Sequence, residues 1–237
     1  MKNTLKIGLV LMAIMVAISS SSFAQKKAKP FKGTITYEMK YSGEGLDPAQ
    51  IAQMPKEQTM KIYENTTLSD EDPMTTVITN GDLKKVSILV NLSSYGLKKY
   101  VIVKKQEDVE KIHKGTEIKY FEDTKEILGY KTKKAEITAP KGEDDEEKDT
   151  VKIIAYYTED FGSELVNFGD QMFHGLKGIA LEFELITPKY TMKATAKTIE
   201  KGKVKETDFL IPTGYIETTE EALQAEFKAL QGGGGDE

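Results

Sequence analysis

The chain is 237 residues long, 39% hydrophobic and 30% charged, with a formal net charge of -5. It has no Cys, no Trp and two His, and all 33 of its basic residues are Lys. This composition suits a globular domain and excludes disulfides, thiol nucleophiles, thiolate zinc sites and iron–sulfur clusters. An acidic chain without guanidinium groups also lacks the basic face that nucleic acid requires, so no nucleic-acid partner is expected.

Residues 1–24 read as a secretory signal peptide. Lys2 and Lys6 make a positive start, residues 7–18 form an apolar run, and Ser22 and Ala24 provide the small residues for cleavage before Gln25. The run is shorter than the ~18 residues a spanning helix needs, so removal is expected rather than anchorage. The mature protein is then periplasmic or secreted, and not an integral membrane protein. Losing two Lys with the leader leaves 31 Lys against 38 acids, a balance of -7. Residues 25–231 are expected to form one domain and residues 232–237 a flexible tail.

The domain alternates. In residues 35–41, Ile-Thr-Tyr-Glu-Met-Lys-Tyr, every second side chain is apolar, which gives a strand with one apolar face. Asp47-Pro48 opens a short helix over residues 48–54, because Asp caps and Pro is suited to the first helical turn. Residues 56–65 return to strand. Residues 74–79 and 83–92 form a hairpin around Asn80-Gly81-Asp82, read as a type I′ turn. Strands follow at 97–105, 117–121, 130–138, 150–158, 178–186, 190–199 and 204–209, with 106–115 as a charged connection. Thr218 and Glu221 make a capping box for a helix over 219–231, with Leu223, Phe227 and Leu230 on one stripe.

Many alternating strands with few helices specify an all-β fold with minor α. It is a single strongly curved antiparallel sheet, a half-barrel or open barrel, because a sheet this wide must curl to cover its apolar face. Either helix is placed to plug an open mouth.

Four segments carry a family likeness: residues 127–135 (Ile-Leu-Gly-Tyr-Lys-Thr-Lys-Lys-Ala), 155–160 (Ala-Tyr-Tyr-Thr-Glu-Asp), 173–181 (Phe-His-Gly-Leu-Lys-Gly-Ile-Ala-Leu) and 209–215 (Phe-Leu-Ile-Pro-Thr-Gly-Tyr). In this order they resemble a group of exported Bacteroidetes-type proteins with no assigned activity. That group's fold is similar to the periplasmic lipoprotein localisation factors, a half-barrel around an apolar concavity. The sequence departs from the pattern at Thr132, where Cys is common, at Ala155, where Trp is common, and at Lys177, where Pro is common. The resemblance implies the fold, export, and an acyl chain or similar apolar ligand.

No catalytic signature is present. His113 sits in a charged connection and His174 before a Gly turn; neither has a nucleophile or a second ligand at a useful spacing, so both are read as loop residues. The acidic run 143–147 lacks the spacing of a calcium loop and reads as a solvated hairpin tip. Glu159 and Asp160 lack the aromatic platforms of a glycosidase cleft. The Lys pairs at 84–85, 98–99, 104–105 and 133–134 are read as edge protection. No metal and no cofactor is expected. Tyr37, Met39, Tyr41, Met60, Phe183, Tyr190 and Met192 alternate inward, where they line the concavity as candidate ligand-binding residues. The function expected is a non-enzymatic exported carrier or chaperone for an apolar or lipid-like ligand. The alternative is a structural or protein-interaction module of the cell envelope with a filled core.

Overall fold

The computed structural model describes residues 30–43, 45–140 and 150–232. The leader, the acidic run 143–147 and residues 233–237 lie outside the described residues. The elements in chain order are β1 (Lys32–Ser42), α1 (Pro48–Gln53), β2 (Glu57–Tyr63), β3 (Thr66–Asp70), β4 (Thr75–Asn80), β5 (Lys85–Asn91), β6 (Lys99–Lys104), α2 (Gln106–Ile112), β7 (Glu117–Ile127), β8 (Tyr130–Pro140), β9 (Thr150–Thr158), β10 (Ile179–Ile186), β11 (Thr191–Lys201), β12 (Tyr215–Thr218) and α3 (Glu220–Gly232). The strands form one 12-stranded sheet in the order β12-β6-β5-β4-β3-β2-β1-β11-β10-β9-β8-β7. This is the curved, unclosed, mostly β architecture expected from the alternation.

The expected period is visible in burial. Along β1, Gly33, Ile35 and Tyr37 are buried while Glu38 and Lys40 are exposed. Ile35 pairs with Met60 on one side and Ile199 on the other, so the apolar stripe continues across three strands. The main core lies on the concave face of β1 and β8–β11. Ala135, Ala155 and Ala194, each fully buried, occupy the floor there. These short side chains leave depth, and the segment 159–178 sinks into it. Phe161, Val166, Phe173 and Leu176 are buried among the strand residues. Each such side chain contributes about 1.5–3 kcal/mol by leaving water. The plug of the half-barrel is therefore this connection. Neither expected helix supplies it, since α1 buries no residue and α3 packs Leu223 against Leu92, Tyr100 and Ile102.

Several local expectations are corrected. The charged connection expected over residues 106–115 holds a helix, α2, that the sequence reading did not assign. The Asp108 carboxylate accepts the Lys105 backbone N–H at 2.9 Å, and Val109 is buried against Val86 and Phe168. Residues 204–209 are not a strand. A one-turn 3-10 helix, Glu206–Phe209, lays Phe209 on Ile78, Leu89 and Val101 on the other face of β4–β6. The chain then adds β12 beside β6 in parallel, the one parallel pairing in an otherwise antiparallel sheet among the described residues. β3 and β12 were not legible as strands because each is short.

The Asn80-Gly81 turn is also different. Residues 81–84 connect β4 to β5, and the left-handed residue is Lys84, with φ 49°. Gly81 is needed for proximity: a Cβ there would stand 2.0 Å from the Leu165 carbonyl oxygen. The Gly81 N–H donates to the Asn65 carbonyl at 2.9 Å, and the Leu83 N–H to the Asn80 side chain at 2.9 Å. The turn geometry is set by the 159–178 segment lying against it.

Candidate functional site

The plug does not fill the concavity. A cavity of 510 Å³ remains between the 159–178 segment, α2 and the inner face of β1–β6 and β10. Its lining is largely apolar, with Val77, Val86, Ile88, Ile179, Phe183 and Leu185, closed by Met172 and Phe173 from the plug. Hydroxyls and an amide are interleaved with these on β2–β4: Gln58, Thr67, Ser69, Thr75 and Thr79. Phe173 stands edge-on to Phe183 at 4.9 Å, which fixes the border between plug and sheet.

Strand register orders the polar groups along the cavity. Tyr37 is opposite Gln58 on β2, at the end of the wall where Glu71 follows β3. Thr79 is opposite Thr67 and Val86, and Val86 is opposite Lys104, which places Lys104 at the other end. The first end is acidic and the second basic.

At the acidic end, Asp170 accepts the backbone N–H groups of Met172 at 2.8 Å and Phe173 at 2.9 Å, both through Oδ1. Burial pushes its carboxyl up to about 6, against those two hydrogen bonds and with help from the Glu71 charge. The Gln58 amide donates to the Ser69 hydroxyl at 3.1 Å and reaches Glu71 at 3.5 Å. The Tyr37 hydroxyl donates to the Ala180 carbonyl at 2.9 Å, and burial raises its phenol beyond the usual range.

At the basic end, the two imidazoles of the chain meet. His113, just past α2, stacks on His174 of the plug with centroids 4.2 Å apart and an interplanar angle of 8°. His174 Nδ1 is hydrogen-bonded to the Phe168 carbonyl. Burial, then His174 and Lys104, lower the His113 pKa to about 4, so this ring is neutral at pH 7. Lys104 forms an ion pair with Glu220 of α3 at 2.8 Å. The plug itself is held by Asn167, whose buried amide donates to the Leu176 carbonyl at 2.9 Å and the Gly178 carbonyl at 2.6 Å.

Of the seven candidate residues, Tyr37, Met60 and Phe183 line the cavity. Met39, Tyr41, Tyr190 and Met192 belong to the same apolar cluster beyond its wall, with Met192 buried and the other three partly buried. The sequence reading missed Asp170, Asn167 and Phe173, and it named His113 only as a loop residue. Their signal was indirect: residues 159–178 join two strands without a period of their own yet carry Phe161, Val166, Phe168, Phe173 and Leu176. A long connection with that much apolar content must be covered.

The remaining candidates have structural partners. Glu159 pairs with Lys133 at 3.2 Å, and the Asp160 N–H is held by the Thr158 hydroxyl at 3.3 Å. Lys133 and Lys134 lie inside β8 and not at an edge, Lys134 pairing with Glu136 at 3.4 Å. Thr132 is fully buried and donates to the Lys125 carbonyl at 2.7 Å, a bond that suits a hydroxyl at this position. Ala155 is fully buried opposite Ala135 and Phe183. Lys177 reaches over the Tyr120 ring at 5.0 Å. Among the described residues no group of three or more His, Cys, Asp or Glu is placed to hold a metal, and no helix is long and apolar enough to cross a membrane.

No family model matches the chain, and no curated protein matches it. Among solved structures it is similar to PNGF-II in two crystal forms, each with a TM-score of 0.54, at 17% and 18% identity over 81% and 82% of this chain. The chain spans 32% of the PNGF-II chain in each. The mycobacterial lipoprotein LppX from Mycobacterium tuberculosis matches with a TM-score of 0.32 and 12% identity, over 73% of this chain and 89% of that one. A LolA-superfamily protein from Nitrosomonas europaea matches at 0.27 and 5% identity, over 76% of this chain and 90% of that one. The likeness to PNGF-II is one of fold.

Proposed function

We propose that the chain is an exported, non-enzymatic binding protein that carries a small ligand with an apolar body inside its half-barrel. The observation behind this reading is the 510 Å³ cavity between the sheet and its plug. Sites for small ligands run from ~300 to ~1,000 Å³, with mostly apolar walls and a few converging polar groups, and this cavity has both properties. In this reading Tyr37, Met60 and Phe183 touch the cargo, while Met39, Tyr41, Tyr190 and Met192 flank them in the same apolar cluster. The leader at residues 1–24 supports export, and residues 25–231 act as one carrier domain.

The test uses the purified full-length mature protein and the neutral apolar dye N-phenyl-1-naphthylamine. Saturable dye uptake is expected, together with a small-molecule adduct in native mass spectra after mild extraction. Absence of both overturns the proposal.

A second reading, an envelope interaction module, draws on Leu210, Ile211 and Ile216, which are 64%, 38% and 46% exposed at and before the edge strand β12. It predicts that Ile216→Lys abolishes recovery of a cross-linked envelope protein while leaving dye uptake intact.

A further inference from the structure

The cavity is polarised, and its two ends are in different states. At the basic end the charge is already answered: Lys104 is paired with Glu220 at 2.8 Å, and His113, neutral at pH 7, is packed face to face with His174. At the acidic end the carboxylates are not answered by a cation among the described residues. Asp170 spends Oδ1 on two backbone N–H groups, and among the described residues no hydrogen-bond donor reaches Oδ2. Glu71 is exposed at the mouth, where its carboxylate accepts from the Gln58 amide at 3.5 Å. Both residues face the cavity.

A carboxylate held inside an apolar concavity costs free energy unless a partner arrives to share its charge. The fold holds Asp170 in place regardless, through the turn formed by Met172 and Phe173. The apolar wall of Phe173, Phe183 and Ile179 begins next to it. A ligand that satisfies both surfaces has an apolar body for that wall and a positive head for the carboxylates.

We infer that the cavity selects amphiphiles with a cationic head, an amine or quaternary ammonium group, which sits between Asp170 and Glu71 while the tail lies against Phe173 and Phe183. This rests on the carrier reading above and names its ligand class. An anionic amphiphile is disfavoured by the same two carboxylates, and Lys104 is too far along the cavity, and too fully engaged with Glu220, to offset them.

The experiment measures displacement of N-phenyl-1-naphthylamine by three ten-carbon amphiphiles below their micelle concentrations: decyltrimethylammonium, decyl glucoside and decyl sulfate. Decyltrimethylammonium is expected to displace the dye at roughly tenfold lower concentration than decyl sulfate, with the glucoside between, the scale of one carboxylate–cation contact in a partly dry site. Asp170→Asn keeps an oxygen to accept both backbone N–H groups. It should bring the cation and sulfate curves together, each displacement being read relative to that variant's own dye affinity. Glu71→Gln, at the mouth, should narrow the gap in the same sense and serves if Asp170→Asn does not fold. Dye binding with equal displacement by all three amphiphiles, or a cation preference that survives both substitutions, overturns this inference and leaves the carrier reading standing. No dye binding at all overturns the carrier reading.

Discussion

His113 lies flat on His174, 4.2 Å between ring centroids, and so joins the end of α2 to the plug of the half-barrel. The contact has a pH signature. Because the folded-state pKa of His113 is lowered to about 4, its contribution is complete above the unfolded value of ~6.5 and is lost as pH falls toward 4. The ring is half-buried, so the loss is about 1–2 kcal/mol after solvent screening. His113→Gln should therefore gain on wild type as pH falls from 6.5 to 4, read from urea midpoints.

Asp170 has the opposite sign. Its pKa is raised to about 6 in the fold, so ionisation above that value costs stability and acidification below it restores stability. Asp170→Asn should match or exceed wild type at pH 7 and lose that advantage between pH 6 and 4. The same titrations check both substitutions, and parallel trends for the two would contradict the assignment.

Gly81 separates close approach from turn conformation. If the residue served a type I′ turn, Asn would be tolerated there. Since a Cβ would meet the Leu165 carbonyl oxygen at 2.0 Å, Gly81→Asn and Gly81→Ala should both cost about 2 kcal/mol, the scale of an overpacked site. Gly129→Ala, at φ 81° with nothing within 4 Å, should cost about 1 kcal/mol from backbone strain alone. Chemical denaturation of the three variants gives the ranking.

Asn167 bridges two carbonyls inside the plug. Asn167→Ala strands both acceptors away from water and should cost about 2–4 kcal/mol. Asn167→Asp keeps the shape but brings a carboxylate against those oxygens, and should be worse than Ala at pH 7. A melting series over both variants tests the order.

Phe161 is 1% exposed, with Phe31 at 4.3 Å and Tyr130 at 4.6 Å. Phe161→Ala should cost about 3–5 kcal/mol. It lies outside the walls of the cavity, so dye uptake should persist below the lowered melting temperature.

The sheet was legible in the sequence because alternation is local. Tyr37, Glu38, Met39 and Lys40 announce two faces by themselves, and so do Ile179 to Leu185. The site was only half legible for the same reason. Tyr37, Met60 and Phe183 could be found because they follow the period. Asp170, Asn167 and His113 follow none: Asp170 is placed by a turn, Asn167 by two distant carbonyls, and His113 by a helix whose cap is a side chain three residues on. Gly81 was noticed, but for a turn conformation it does not adopt, since the chain that crowds it comes from residues 159–178.

The seam at the middle of the sheet, where β1 meets β11 from Gly33–Lys201 to Ser42–Thr191, bears on how the chain reaches this fold. The first strand made waits for nearly the last, so its inner edge stays unpaired while most of the chain is synthesised. Such long-range pairing is slow, and the open edge is a template for another chain. Refolding yield should therefore fall with protein concentration more steeply than equilibrium stability suggests, which gives a chain of this topology good reason to meet a holding chaperone before its sheet is complete.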